Sequence, residues 1–320
     1  MGPEERLSPV RHVIALDVGG TGMKAALVGA DGSLLYEARR PTDRERGPAA
    51  VTAAVLDFAA DLLAHGVRAY GEPAAAAGVA VLGVVDEKAG IAVYAANVGW
   101  RDVPLRALLR ERLGIPVVLG HDVRTGGVAE GRLGAAAGAE RFLFVAVGTG
   151  IAGAIGIGGR VEATELGHIV VRRKGPQCAC GQRGCVETTA SAAAVSRAWA
   201  LASGDPEADA AGCAAAVVAG DARAAAVWDD AVAVLADGLV TGITLFDPEA
   251  VIVGGGLAEA GDTLLLPLRE AVESRLTFQR RPRIVPAALG DAAGCLGAAL
   301  LAWDLLHTPG DDVHMEATAR

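Results

Sequence analysis

Lysine is nearly missing from this chain. Lys24, Lys88 and Lys174 are the only three in 320 residues, against twenty-six arginines. Set beside abundant Ala and Gly, that skew reads as the imprint of a GC-rich genome, and no function is drawn from it. Aromatic residues are also scarce, at 4%, yet apolar residues make up 52%, enough for sizeable cores filled mainly by small aliphatic side chains. Positive charge is short too: the net charge of −9 disfavours nucleic acids and anionic membranes as partners. No Gly-Lys-Ser/Thr is present, which excludes a P-loop enzyme, and no Gly-x-Gly-x-x-Gly opens a strand–helix dinucleotide unit. The longest uncharged apolar run, Phe142 to Gly159, contains six glycines and alternates like strands, so a hairpin is expected rather than a membrane span. Met1-Gly-Pro-Glu-Glu-Arg6 has neither a basic n-region nor an apolar h-region, and a cytoplasmic location is expected.

At this length about two domains are anticipated. Val13–Leu16 reads as a strand running into Asp17-Val-Gly-Gly-Thr21; Met23–Val28 is a second strand, Gly29–Gly32 a turn, and Leu34-Leu35-Tyr36 opens a third. Ala49–His65 has helical periodicity, Ala77–Val85 reads as one buried strand, Leu105–Leu113 as a short helix and Pro116–Leu119 as a strand. Then the pattern returns. Phe142–Val147 is a strand ending in Gly148-Thr-Gly150, Ile151–Ile157 the next strand, and Gly158-Gly159 a turn. A shift of 128 residues lays Gly20-Thr21-Gly22 on Gly148-Thr149-Gly150. Two copies of one strand–glycine turn–strand–turn–strand unit are therefore expected, one per domain. Further on, Thr189–Leu201 and Arg223–Leu245 read as helices, Ala250–Val253 and Arg283–Val285 as strands, and Asp291–Leu306 as a last helix. Residues 308–320 read as a polar, mobile tail.

Three glycine turns follow strands: Asp17-x-Gly19-Gly20-Thr21, Gly148-Thr149-Gly150 and Gly254-Gly255-Gly256. Bare backbone at such places lets N–H groups approach phosphate oxygens that a Cβ would block. Asp17 is either a turn-forming Asp or, beside a polyphosphate, the holder of Mg²⁺. Asp122, after a strand in Gly120-His121-Asp122, is either the N-cap of the next helix or a general base for an attacking hydroxyl.

Three of the five cysteines, Cys178, Cys180 and Cys185, lie within eight residues, and His168 stands ten positions before the first. This is the donor set of a Cys3His structural zinc site. The alternative is a disulfide framework, which an odd cysteine count and the closeness of Cys178 to Cys180 oppose. Glu165 and Glu187 bracket the cluster, and acidic side chains held by a metal knot suit a ligand rich in hydroxyls.

From Val13 to about Leu306 the chain resembles the ROK family of sugar kinases and repressors, within the actin-like ATPase superfamily. The resemblance is carried most specifically by Glu165-Leu-Gly-His168 with Cys178-x-Cys180-Gly-x-x-Gly-Cys185-x-Glu187. Asp17-Val-Gly19-Gly20-Thr21 with Lys24 resembles the first phosphate motif, Gly148-Thr149-Gly150 the second, and Gly254-Gly255-Gly256 the adenosine motif. The resemblance implies an α/β fold of two duplicated actin-like (ribonuclease H-like) domains around an interdomain cleft, with a small structural zinc site. It implies an N-terminal domain over 1–121 joined by the C-terminal helix at about 298–307, a second domain over 122–297, and the zinc segment at 165–187. By the same resemblance Asp122 deprotonates a sugar hydroxyl. Glu165, His168, Glu187 and Asn97 contact the sugar with His121 and Gly83 beside them, and His168 also serves Zn²⁺ through its second nitrogen.

The implied activity is ATP- and Mg²⁺-dependent phosphorylation of a hexose at its primary hydroxyl, glucose foremost. Mannose, N-acetylmannosamine, allose or a C7-cyclitol are the alternatives, and polyphosphate is an alternative donor. Family kinases carry Asn-Asp-Ala-Asn where this chain has His121-Asp122-Val123-Arg124, and often Pro-Gly where it has Leu82-Gly83. Both departures bear on the substrate more than on the reaction. A non-catalytic sugar sensor is the reading from another class. A family repressor's helix-turn-helix has no room in the dozen residues before the first strand. A homodimer or homotetramer is the implied assembly.

Overall fold

A computed structural model of the chain describes residues 11–307; the tail expected at 308–320 lies outside them. The chain divides into two compact units. One comprises the described residues through Asp122 together with those from Cys295 onward, and the other is Val123–Gly294.

The first unit is built on a five-stranded mixed sheet of β1 (His12–Val18), β2 (Gly22–Gly29), β3 (Leu34–Pro41), β4 (Ala77–Val81) and β8 (Val117–His121), in the order β3-β2-β1-β4-β8. β1 is central and apolar on both faces, as a strand covered from both sides must be. Helix α1 (Pro48–Tyr70) covers one face. Val51, Val55, Phe58 and Leu62 recur at helical spacing and pack with Ile14, Leu16 and Val18; burying each large side chain contributes on the order of 2 kcal/mol. By length and hydropathy α1 could cross a membrane, but this buried stripe makes it a core helix of the α/β layer. The opposite face is covered by α9 (Ala293–His307), whose Ala298, Ala299 and Ala302 meet Val13, Ala15 and Ala26. The approach is close: a Cβ at Gly78 would stand 1.9 Å from the Ala298 carbonyl oxygen. A small sheet of β5 (Val84–Asp86), β6 (Ile91–Ala95) and β7 (Trp100–Val103) and the helix α2 (Leu105–Leu113) complete this unit.

The second unit repeats the order. β9 (Arg141–Val147), β10 (Ile151–Ile157), β11 (Arg160–Thr164), β12 (Ala250–Gly254) and β13 (Arg283–Pro286) are arranged β11-β10-β9-β12-β13. Its core gathers Leu143, Val145 and Val251 of the sheet with the inner sides of α5 (Ala192–Ser203), α6 (Ala210–Val218), α7 (Ala222–Phe246) and α8 (Asp262–Glu273). Helix α3 (Asp122–Arg132) precedes the sheet, and the single turn α4 (Glu187–Ala190) precedes α5.

The repeat is finer than one shift describes. β1 maps onto β9 with a shift of 129 residues (Val18 to Val147), while β2 maps onto β10 with 128 (Met23 to Ile151). The turn between the paired ends Val18 and Met23 is thus one residue longer than that between Val147 and Ile151.

Two expected elements are divided. Ala77–Val85 is two strands, because Gly83 takes φ +87° and a Cβ there would lie 2.3 Å from the Tyr94 carbonyl oxygen. Thr189–Leu201 is broken at Ser191, whose extended backbone and hydroxyl, accepting from the Ala194 N–H at 3.1 Å, start a new helix. The final helix starts at Ala293, after a 3₁₀ turn over Gly290–Ala292, rather than at Asp291.

Candidate active site

In the first unit, β1 delivers Asp17 beside Lys24 of β2, its register partner. The turn after it closes with the Gly19 N–H donating to the Gly22 carbonyl at 3.0 Å. Gly19 cannot carry a side chain, since a Cβ would come within 2.9 Å of that oxygen. Thr42, wholly buried, clamps the turn from β3's end: its hydroxyl donates to the Gly19 carbonyl at 2.7 Å and its N–H to the Thr21 carbonyl at 3.1 Å. Thr21 itself is exposed. The side chain of Asn97, between β6 and β7, lies against Gly20, where a Cβ would be 3.4 Å away.

At the end of β8, His121 is the last strand residue and Asp122 the first of α3. Their side chains face each other, Nδ1 to Oδ1, at 3.4 Å, both partly exposed. Asp122 therefore stands at the positive end of a helix rather than before it. The His121 N–H donates to Glu87 Oε1 at 2.9 Å. Glu87 is held there by Arg106, whose guanidinium donates to the carbonyls of Glu87, Lys88 and Ala89 at 3.3, 3.1 and 2.9 Å. Thr42, Glu87 and Arg106 carry no sequence signal of their own; only the folded neighbourhood reveals them. The bare backbone of Gly83 answers to the Tyr94 and Ala95 backbone of β6.

In the second unit, the Gly148 N–H donates to the Gly150 carbonyl at 2.9 Å, closing the shorter turn. Glu187 reaches this turn from α4: its Oε2 accepts the Ile151 N–H at 2.8 Å, and a Cβ on Gly150 would stand 2.6 Å from the same oxygen. Gly150 is bare because a carboxylate occupies the space. Nothing lies within 4 Å of where a Cβ on Gly148 would stand, so that position is open to an incoming group.

Next to Glu187 in sequence is the cysteine knuckle. One donor atom from each of His168, Cys178, Cys180 and Cys185 lies within 4.8 Å of the others. Cys178 Sγ is 3.6 Å from His168 Nδ1, and Cys180 Sγ is 3.7 Å from Cys185 Sγ. Gln177 fixes the loop by donating to the carbonyls of Gly181 and Gln182, both at 3.2 Å. Among protein groups alone, burial and the neighbouring thiols push Cys185 up to about 12; a cation reverses that preference by stabilising thiolates. The other imidazole nitrogen, His168 Nε2, is 3.9 Å from Glu165 Oε2. Cys213 and Cys295 lie apart as buried thiols, and burial first raises each, to about 11 and about 12.

Gly254-Gly255-Gly256 ends β12 and forms one wall of a cavity of about 270 Å³; Pro286, Ala287, Gly290 and Asp291 form the facing wall. Gly255 has φ +83°, and a Cβ there would strike the Val147 backbone at 2.6 Å.

A family model described as the ROK family matches residues 13–304. A glucokinase from Thermotoga maritima is 33% identical over 313 residues, covering 91% of this chain and 97% of that protein. The crystal structure of a ROK hexokinase from Thermus thermophilus is similar with a TM-score of 0.81 at 34% identity, covering 92% of this chain and 99% of the other. A ROK family glucokinase from Streptomyces griseus, crystallised with glucose and AMPPNP, gives a TM-score of 0.76 at 29% identity over 92% of this chain and 99% of the other.

Proposed function

The chain belongs to the ROK family, and from that premise we propose that it is an ATP-dependent glucokinase, transferring the γ-phosphoryl group of ATP to the primary hydroxyl of glucose. The observation that carries the reading is the double use of His168. Its Nδ1 joins three cysteine sulfurs, while its Nε2 stands 3.9 Å from Glu165 Oε2. That spacing is too long for a direct hydrogen bond, yet it leaves both atoms within reach of one hydroxyl oxygen. Glu187, fixed by the Ile151 N–H, keeps its other oxygen for a second hydroxyl. Carboxylates that accept from sugar hydroxyls discriminate sharply against a sugar lacking them.

The four donors fit Zn²⁺. With Zn–S near 2.3 Å and Zn–N near 2.0 Å, a tetrahedron has sulfur–sulfur edges of about 3.8 Å and sulfur–nitrogen edges of about 3.6 Å, close to the 3.7 Å between Cys180 and Cys185 and the 3.6 Å between Cys178 and His168. Bound there by Cys178, Cys180, Cys185 and His168, Zn²⁺ would supply a fixed geometry rather than an activated water. Asp122 is the base. A hydroxyl at its carboxylate loses its proton as the oxygen–phosphorus bond forms and the bridge to ADP breaks. His121 lies against Asp122 and takes the place of the asparagine found in family kinases, touching the sugar and orienting the base. The Gly19 and Gly148 N–H groups close their own turns, so the backbone N–H groups that meet the phosphates are those of Gly20 and Thr21 in one turn and Thr149 and Gly150 in the other; Asp17 with Lys24 flanks the first, and Asp17 holds hydrated Mg²⁺. The cavity beside Gly254-Gly255-Gly256 takes the adenosine. The protein works in the cytoplasm, as a dimer or tetramer.

The test is coupled ADP release with MgATP against glucose, mannose, N-acetylmannosamine, N-acetylglucosamine, allose, fructose and cyclitols. Glucose is expected to give the highest kcat/KM. A different best substrate would transfer the proposal to that sugar and make His121 the specificity residue. Sugar binding without turnover of any of them would replace the kinase by a sensor.

A further inference from the structure

Glu130 is the one acidic side chain among the fully buried described residues, with no exposed surface at all. It sits in the last turns of α3, within a run from Thr125 to Glu130 that is buried all round the helix. Backbone N–H groups from two separate segments converge on its carboxylate. The Ala135 N–H, just past the helix, donates to Oε2 at 2.7 Å. From a loop more than 150 residues later, the Ala288 N–H donates to Oε2 at 3.2 Å and the Leu289 N–H to Oε1 at 2.8 Å.

That loop is one wall of the cavity beside Gly254-Gly255-Gly256. It leaves β13 at Pro286, passes the Ala287 N–H to the Val253 carbonyl at 2.9 Å, and enters the 3₁₀ turn Gly290–Ala292. Between those two anchors Ala288 and Leu289 have no strand or helix to satisfy them. A buried carboxylate must be hydrogen-bonded to be tolerated, and backbone amides must find acceptors. Here each need answers the other. Gly134 is small for the same reason, since a Cβ there would stand 2.2 Å from Glu130 Oε2.

We propose that Glu130 is a positioning residue for the nucleotide: by holding the N–H groups of Ala288 and Leu289, it sets the width of the adenosine cavity and so the affinity for ATP, without touching substrate. The proposal rests on the kinase reading above, in which that cavity takes adenosine. It predicts a split that a general scaffold role does not. Loosening the loop weakens nucleotide binding, while the sugar-binding groups Glu165, His168 and Glu187, which make no bond to this loop, keep their affinity.

The experiment measures glucose turnover and, by calorimetry, the affinities for MgAMPPNP and for glucose separately, in wild type, Glu130→Gln and Gly134→Ala. The glutamine keeps the shape and one acceptor but turns an NH2 group toward an N–H donor. The alanine keeps the carboxylate and forces it aside. For each variant the nucleotide dissociation constant and the KM for ATP are expected to rise about tenfold, with the glucose constant and kcat changed less than about threefold. Because the two substitutions displace one contact, their double variant is expected to lose little more than either alone. Unchanged nucleotide affinity in both variants overturns the proposal, as does a parallel loss of both affinities, and turnover by the wild type then leaves the kinase reading standing. A wild type that binds no nucleotide removes both together. If Glu130→Gln does not fold, Gly134→Ala carries the same test.

Discussion

The two units share one strand order but treat the first turn of the sheet differently. In the first unit the turn Val18–Met23 is tied by a hydroxyl: Thr42 donates to a carbonyl, and the amides of Gly20 and Thr21 are not used by that clamp. In the second the shorter turn Val147–Ile151 is tied by a carboxylate, which takes the Ile151 amide and fills the space above Gly150. A neutral clamp leaves a turn suited to anions. An anionic clamp brings negative charge to the same backbone and leaves only the Gly148 side open, which in the proposed function makes the one a seat for hydroxyl groups and the other a place for phosphate. The same Gly-Thr-Gly sequence is thus held in two different electrostatic settings, and the difference lies in a side chain far away in sequence.

The sharpest way to break this comparison is at the base. Asp122→Asn is expected to lower kcat by a factor of about 10² to 10⁴ with glucose affinity nearly kept; retained turnover in the coupled assay would place proton transfer elsewhere. Next comes the cysteine knuckle, which among the described residues belongs to the second unit alone. Cys180→Ser is expected to lose bound zinc, measured by atomic absorption, and to weaken glucose binding about 10- to 100-fold while MgAMPPNP binding holds. Normal glucose affinity in the metal-free variant would separate the knuckle from the sugar. Smaller again is the paired substitution of the second turn. Gly150→Ala, pushing against Glu187, should raise the KM for glucose about tenfold, whereas Gly148→Ala, with open space around it, should raise only the KM for ATP. If both act on the same substrate, the division of labour within the turn is wrong. The smallest effect belongs to the neutral clamp: Thr42→Val removes one buried hydrogen bond, a loss of about 1 kcal/mol visible as a lower Tm. A Tm equal to wild type would mean the turn holds itself.

Much of this was legible in the sequence. The glycine turns, the repeat and the Cys3His set are local patterns, and local patterns survive folding. Leu105–Leu113 and Ile151–Ile157 match the observed elements to the residue. What was not legible is long-range or masked by alanine. α6 is nearly all small apolar residues, so no face stands out, and α8 carries Pro267 inside its leucine stripe. The strands β5 to β7 are three to five residues long, too short for alternation to register. Thr42, Glu87 and Glu130 act through backbone groups of distant segments, and backbone groups carry no letter in a sequence. The 128-residue shift aligned the copies from the turn onward, but the single extra residue before Met23 was invisible without the strand register.

His168 has one ring and two neighbours: sulfur on one side, a carboxylate on the other. In the proposed function the first neighbour belongs to a metal site and the second to the sugar site, so the shared ring would couple the two ligands, and equilibrium coupling runs equally in both directions. Whatever factor the metal contributes to holding glucose, glucose returns in holding the metal. An enzyme saturated with sugar should therefore surrender its ion to a chelator more slowly than the free one, so that the substrate of the reaction also guards the integrity of the fold that binds it.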